Sequence, residues 1–314
     1  MKIVSIRSKS NYTPEQITTL KSYGEFIEIT GKKLQYVNIM DKIKDVDILL
    51  ISPSGLQEVP KVMLSHLKKL KFISLLSVGY EWVDIKAAKS RGILISSIKG
   101  ANSESVAEHI WAMILDLAKR VTEFDRDIRQ DGENDYRKYK GTELFGETIG
   151  IIGTGHIGTK VARIAKAFNM TMLGYNRSKK MIKNVKIVPL VKLLRNSDVI
   201  AKCIPLSKET YHLISENAIM KMKDNIIIVN CAREQIVKKE AILDALNRGK
   251  VFGYGFETDT MQEISIYSAY LHHKRVVVTG HSASNTNEAE MLTNNMAIAN
   301  IKTFINQKPN NLII

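Results

Sequence analysis

The chain has 314 residues, 44% hydrophobic and 25% charged, the balance of an ordinary globular protein of about two domains. Forty-six Lys and Arg against 32 Asp and Glu leave a net charge of +14, which suits anionic ligands. The basic residues are scattered rather than blocked on one face, so nucleic-acid binding is not expected. No apolar run approaches the roughly 18 residues of a membrane span, Arg7 interrupts any signal-peptide core, and two cysteines without a Cys/His cluster exclude a disulfide framework and a zinc site. A reducing cytoplasm is the expected compartment, with no membrane and no metal.

Short apolar runs alternate with amphipathic stretches, the pattern of parallel strands joined by helices. Residues 1–6 read as a strand. Thr13, Pro14 and Gln16 then open a helix, with Thr13 as cap, proline in the first turn and Gln16 completing a capping box. Residues 46–51, 70–76 and 92–96 read as further strands. Ser105-Val106-Ala107-Glu108 fits a second capping box, and Val106, Ile110, Met113, Ile114, Leu117 and Val121 keep helical spacing behind it. Residues 125–140, charged and tyrosine-bearing, read as an exposed connection. A second α/β run begins near Glu147, with strands expected at 148–152, 171–175, 198–203, 225–230 and 251–256 and a candidate sixth at 275–279. Residues 287–305 are helical in period.

Gly153-Thr154-Gly155-His156-Ile157-Gly158 is G-x-G-x-x-G, set between an expected strand and an amphipathic helix. The first glycine permits a tight turn, the second lets backbone approach a pyrophosphate, and the third lets helix pack on strand. An acidic residue at the end of the next strand would bond the ribose of NAD; this chain reads Tyr175-Asn176-Arg177-Ser178-Lys179-Lys180 instead. Asn176 and Ser178, with Arg177 or Lys179 as counter-charge, suit a 2′-phosphate, so NADP is favoured. NAD stays open, with Asn176 bonding the ribose and Arg177 stacking on adenine.

Several further segments resemble the D-isomer-specific 2-hydroxyacid dehydrogenase family. They are Leu70–Ser74 with Ser77-Val78-Gly79, Gly100-Ala101-Asn102 with Val106-Ala107-Glu108-His109, and Cys203-Ile204-Pro205-Leu206 with Thr210. Val229-Asn230-Cys231-Ala232-Arg233 and Thr279-Gly280-His281-Ser282-Ala283 complete the set. The resemblance implies two doubly wound parallel-sheet domains with a cleft between them. A Rossmann nucleotide domain (101–285) would be inserted into a flavodoxin-like substrate domain (1–100 and 286–314), and the protein would form a homodimer. It implies a hydride-transferring oxidoreductase acting on a small 2-oxo or 2-hydroxy acid, such as glyoxylate, hydroxypyruvate, pyruvate or a phosphoglycerate-type acid. His281 would be the acid/base, since imidazole titrates near operating pH. Arg233 would clamp the substrate, its fixed fork holding carboxylate and carbonyl oxygen. Ser77, Val78, Gly79 and Asn102 would complete the substrate site. Cys203, Pro205, Thr210, Cys231, Ala232 and Glu257 would lie along the cofactor, Glu257 where the family has an aspartate facing the nicotinamide carboxamide.

The chain departs from the family pattern in three places. Glu234 follows Arg233 where glycine is usual, and its charge would weaken anion binding unless it points away. Lys238 stands where an aspartate is common. The glutamate that pairs with the catalytic histidine is replaced, in the usual register, by Gln262, with Glu263 beside it. A glutamine orients the imidazole without favouring its charged form. These departures leave a second reading open, a dinucleotide-binding regulator of the same fold with little or no turnover. The other histidines, His66, His109, His212, His272 and His273, read as packed or solvent-facing.

Overall fold

A computed structural model describes residues 1–177, 182–258 and 272–314. They divide into two compact units, Met1–Asn102 with Thr286–Ile314, and Ser103–Asn285.

The first unit is built on five parallel strands: β1 (Lys2–Arg7), β2 (Glu25–Thr30), β3 (Ile48–Ile51), β4 (Phe72–Leu75) and β5 (Leu94–Ser96). Their order, β2-β1-β3-β4-β5, is the flavodoxin-like winding. Helices α1 (Pro14–Ser22), α2 (Met40–Ile43), α3 (Lys61–His66) and α4 (Ile85–Ser90) connect them. The capping box of α1 forms as read: Gln16 N–H donates to Thr13 Oγ1 at 3.3 Å, and Thr13 N–H donates to Gln16 Oε1 at 3.0 Å. Strand β2 is not marked by the apolar pattern, because this half-exposed edge strand intersperses glutamates among its apolar residues. The C-terminal helix Asn287–Ile305 returns to this sheet through buried polar ties. Ser74 Oγ donates to Ala297 O at 2.9 Å, Arg7 to Asn294 Oδ1 at 3.0 Å, and Asn300 Nδ2 to Ser97 O at 3.1 Å.

The second unit opens with α5 (Ser103–Lys119) and α6 (Val121–Asp131). It continues through β6 (Thr148–Ile152), α7 (His156–Ala167), β7 (Thr171–Tyr175), the two-residue β8 (Lys186–Ile187), α8 (Leu190–Asn196) and β9 (Val199–Lys202). The remaining elements are α9 (Glu216–Met220), β10 (Ile226–Asn230), α10 (Lys239–Asn247), β11 (Val251–Glu257) and β12 (Val276–Thr279). All seven strands are parallel, in the order β12-β11-β10-β9-β6-β7-β8. Strand order reverses between β6 and β9, the position at which such sheets bind ligands beyond their carboxyl ends. Helices α5 and α7 cover one face, where Trp111 stacks on Phe168 at 4.9 Å and donates Nε1–H to Val161 O at 3.1 Å. Ile152, Ile200, Ile228 and Tyr254 fill the other face.

Two expectations are corrected. Helix α5 begins at Ser103, two residues before the expected cap, because Ser105 Oγ donates away from the helix to Ala283 O at 2.6 Å. Residues 125–140 are not one exposed connection: α6 runs to Asp131 and ends at Gly132 in the left-handed conformation (φ 66°), and Tyr136–Tyr139 makes a 3₁₀ turn. Buried acids hold that segment. Glu123 takes two 2.7 Å bonds from Arg120, and Asp127 accepts from the Tyr139 hydroxyl at 2.8 Å. Its polar composition hid this, since the acids are inside because they are paired.

Candidate active site

The glycine loop sits between β6 and α7 in a form only glycine tolerates. Gly153 has φ +99°, and a Cβ there would lie 2.6 Å from Cys203 O. A Cβ on Gly158 would lie 2.0 Å from Gly153 O, so helix and loop touch backbone to backbone. Above Gly155 an added Cβ meets nothing within 4 Å. Gly155 caps α7 without a side-chain cap bond, leaving the first-turn N–H groups of His156, Ile157 and Gly158 outside the helical ladder. Open space above these amides at the positive end of a helix fits a dinucleotide pyrophosphate. Asn176 and Arg177 follow β7, whose last residue is Tyr175, not a carboxylate. Arg177 is 85% exposed and lies 3.8 Å from Glu209. Ser178, Lys179 and Lys180 lie outside the described residues.

Four more strand ends contribute to the same edge of the sheet. After β9, Cys203, Pro205 and Thr210 form a loop that closes on itself: Thr210 Oγ1 donates to Pro205 O at 2.9 Å and accepts from Ser207 N–H at 2.7 Å. The Thr210 hydroxyl is therefore used within the loop. Cys203 and Cys231 follow neighbouring strands, where burial pushes the Cys203 thiol up to about 12 and also raises that of Cys231. Both stay protonated at neutral pH, unsuited to nucleophilic work. Lys202 is fully buried, and its Nζ has no hydrogen-bond partner among the described residues; burial holds its pKa well below the ordinary lysine value.

After β10, the buried Asn230 shapes the turn that carries Arg233. Its Oδ1 accepts from Ala232 N–H at 3.2 Å and its Nδ2 donates to Arg233 O at 3.1 Å. Arg233 Nη1 donates to Ala232 O at 3.0 Å. Glu234, whose charge threatened the clamp, lies 3.3 Å from Lys239 Nζ and is compensated there. Lys238 is likewise committed, donating to Glu216 Oε1 at 2.6 Å.

After β11 and β12 come Glu257 and His281. His281 has φ +51°, a left-handed conformation that costs a non-glycine residue about 1–3 kcal/mol. Glu257 is 8% exposed, and its Oε1 accepts N–H from Ser282 at 2.5 Å and from Ala283 at 2.7 Å. His109 lies in reach, with Nε2 3.0 Å from Thr279 Oγ1 and 3.8 Å from Glu257 Oε1. Sequence reasoning set His109 aside and took Ser105 for a cap; their spacing of four on α5, one helical face, was the available signal. Gln262 and Glu263 lie outside the described residues.

In the first unit, the loop after β4 holds Ser77, Val78 and Gly79. Ser77 Oγ donates to Gly79 O at 2.7 Å, Trp82 Nε1 donates to the same oxygen at 3.3 Å, and Val78 is exposed. Asn102 ends this part of the unit.

Residues 111–283 match the family model of the D-isomer specific 2-hydroxyacid dehydrogenase, NAD binding domain. The chain is 32% identical over 279 residues to the glyoxylate reductase of Korarchaeum cryptofilum, covering 85% of this chain and 82% of that protein. It is also 32% identical over 279 residues to the hydroxypyruvate reductase of Thermotoga maritima, covering 88% and 90%. Among solved structures it is similar to an acyclic imino acid reductase in complex with NADPH and D-Arg, at TM-score 0.90 and 26% identity over the whole of both chains. The glycine loop, the arginine turn after β10 and the histidine after β12 thus fall within a match spanning more than half the sequence, and the chain belongs to the D-isomer-specific 2-hydroxyacid dehydrogenase family.

Proposed function

We propose that the protein reduces a small 2-oxo acid to the D-2-hydroxy acid with NADPH, or runs the reverse oxidation. The observation that carries this reading is that Arg233 after β10 and His281 after β12 lie at the same carboxyl edge of the sheet as the glycine loop after β6. Bound along that edge, a nicotinamide dinucleotide supplies the hydride. Arg233 holds the substrate by a charge-assisted fork on carboxylate and carbonyl oxygen, and stabilises the oxygen as it gains charge. His281 gives that oxygen its proton. The backbone amides of Val78 and Gly79 are the first unit's candidate donors to the carboxylate. The two reductases similar in sequence make glyoxylate and hydroxypyruvate the first acids to try.

The preference for NADPH rests on the end of β7. No carboxylate stands among Tyr175, Asn176 and Arg177, and the exposed Arg177 contacts Glu209 only at the long distance of 3.8 Å, a pair too weak to withhold it from a 2′-phosphate. A homodimer belongs to the same reading, and light scattering on the purified protein tests it.

The test of function is a spectrophotometric screen of NADPH and NADH against a panel of 2-oxo acids. Oxidation of NADPH with one acid supports the reading and names the substrate. A preference for NADH retains the reductase and removes the 2′-phosphate argument. Binding of both cofactors without turnover on any acid overturns the enzyme in favour of the regulator.

A further inference from the structure

Family resemblance gives residue 257 one task, to face the nicotinamide carboxamide. The local geometry gives it another. A single oxygen, Glu257 Oε1, gathers the N–H groups of Ser282 and Ala283 at 2.5 and 2.7 Å and the hydroxyl of Thr279 at 3.3 Å. These three donors bracket His281, whose φ of +51° is unfavourable without external support. Having given its hydrogen to Glu257, the Thr279 hydroxyl can only accept from His109, 3.0 Å away, which requires a hydrogen on His109 Nε2. One turn earlier on α5, Ser105 Oγ donates to Ala283 O at 2.6 Å. The segment from Thr279 to Ala283 is thus gripped at both ends by one face of α5, and on either side of His281 by Glu257.

We propose that Glu257 is the positioning residue of the His281 loop, acting with Ser105 and His109 as a clamp that fixes the imidazole in its left-handed turn. This rests on the assignment of His281 as the proton donor. The length of the side chain matters. Glu257 is the last residue of β11, paired with Thr279 of β12, and aspartate there would be shorter by roughly one 1.5 Å bond. The bonds at 2.5 and 2.7 Å leave no slack for that loss, and with Ala283 only 3% exposed, water would not readily take over its N–H. The substitution of glutamate for the family's usual aspartate therefore places a loop clamp where a cofactor contact is expected.

The two tasks predict opposite results for the conservative variant. If the carboxylate serves the carboxamide, Glu257→Asp restores the usual residue, leaving kcat intact and cofactor affinity equal or better. If it serves the loop, Glu257→Asp fails and Glu257→Gln, which keeps an oxygen of the right reach, does better. The first readout is amide hydrogen exchange over residues 279–285 in the cofactor-free protein. The clamp predicts exchange about ten-fold faster in Glu257→Asp, with a smaller rise in Glu257→Gln. In turnover it predicts kcat about 10- to 100-fold lower for Glu257→Asp, with the NAD(P)H Kd within about two-fold of wild type. Ser105→Ala, a milder change that frees only the Ala283 carbonyl, should quicken exchange in the same segment and serves if Glu257→Asp does not fold. Unchanged exchange in the variants overturns the clamp, as does Glu257→Asp with intact kcat. Absence of turnover in the wild type refutes the proposed reaction instead, and the exchange measurement still decides the clamp.

Discussion

The two edges of the seven-stranded sheet are built on opposite terms. At the amino edge, charges meet partners at short range. Asp198 accepts from Thr148 N–H at 3.0 Å and from Lys223 Nζ at 2.8 Å, while Lys250 donates to Asp224 Oδ1 and Met222 O, both at 2.7 Å. The hydrogen bond to Asp198 raises the Glu147 carboxyl above its ordinary value. At the carboxyl edge, Gly153 and His281 occupy left-handed backbone, and Lys202 is buried without a hydrogen-bond partner among the described residues. Left-handed residues also precede strands at the amino edge, among them Asn169 (φ 52°) and Asn225 (φ 59°), so the two edges differ in charge pairing and desolvation rather than in backbone strain, the division expected when a site must receive a charged ligand.

The largest break in that comparison should come from His281→Ala. Ketone reduction should fall about 10²- to 10⁴-fold while fluorescence titration returns the wild-type Kd for NAD(P)H. An unchanged rate would remove His281 from the acid role. Next in size is Gly158→Ala, where the new Cβ must move loop from helix. A cost of about 1–3 kcal/mol, seen as weaker cofactor binding or a lower Tm, is expected. A variant that binds NAD(P)H as the wild type does and melts at the same temperature would show that the contact is slack.

Lys202→Met should act in the other direction, stabilising by about 1–3 kcal/mol, because it removes a buried amine without a hydrogen-bond partner among the described residues. The sign in pH follows from the lowered pKa. The folded chain holds this proton less tightly than the unfolded one, so the cost of Lys202 grows as pH falls below the ordinary lysine value and shrinks as pH rises towards it. Urea midpoints at pH 7 and pH 10 should converge between wild type and variant, and a constant gap would contradict the argument. The smallest effect belongs to the amino edge. Asp198→Asn should lose about 0.5–1 kcal/mol with turnover unchanged, since its bonds lie at the end of the sheet away from the chemistry. A loss of kcat there would erase the distinction between the edges.

Periodicity and turn chemistry made most of this architecture readable. The apolar runs mark β1, β3–β7 and β9–β11 and the candidate β12, and the glycine spacing marks the start of α7, because each reports a burial or backbone requirement local in sequence. Strand β2 and helix α6 escaped because partners outside them stabilise them: β2 is a half-exposed edge, and α6 buries acids that Arg120, Tyr139 and Lys274 make tolerable. The candidate site shows the same split. Gly153, Gly155, Gly158, Arg233 and His281 stand in recognisable segments. The supports of the His281 loop do not, since Ser105 and Glu257 reach it across 178 and 25 residues of chain. Ser105, read in isolation, satisfies a capping rule that the fold does not use.

The central claim, that the carboxyl edge of this sheet carries out hydride transfer to a 2-oxo acid held by Arg233, is tested most directly by Arg233→Ala. Turnover and cofactor affinity should be measured on the same preparations of wild type and variant. The account predicts that kcat/KM for the 2-oxo acid falls by at least about 10²-fold while the NAD(P)H Kd stays within about two-fold. Equal turnover in the variant, or a loss that merely follows a loss of cofactor binding, would contradict it.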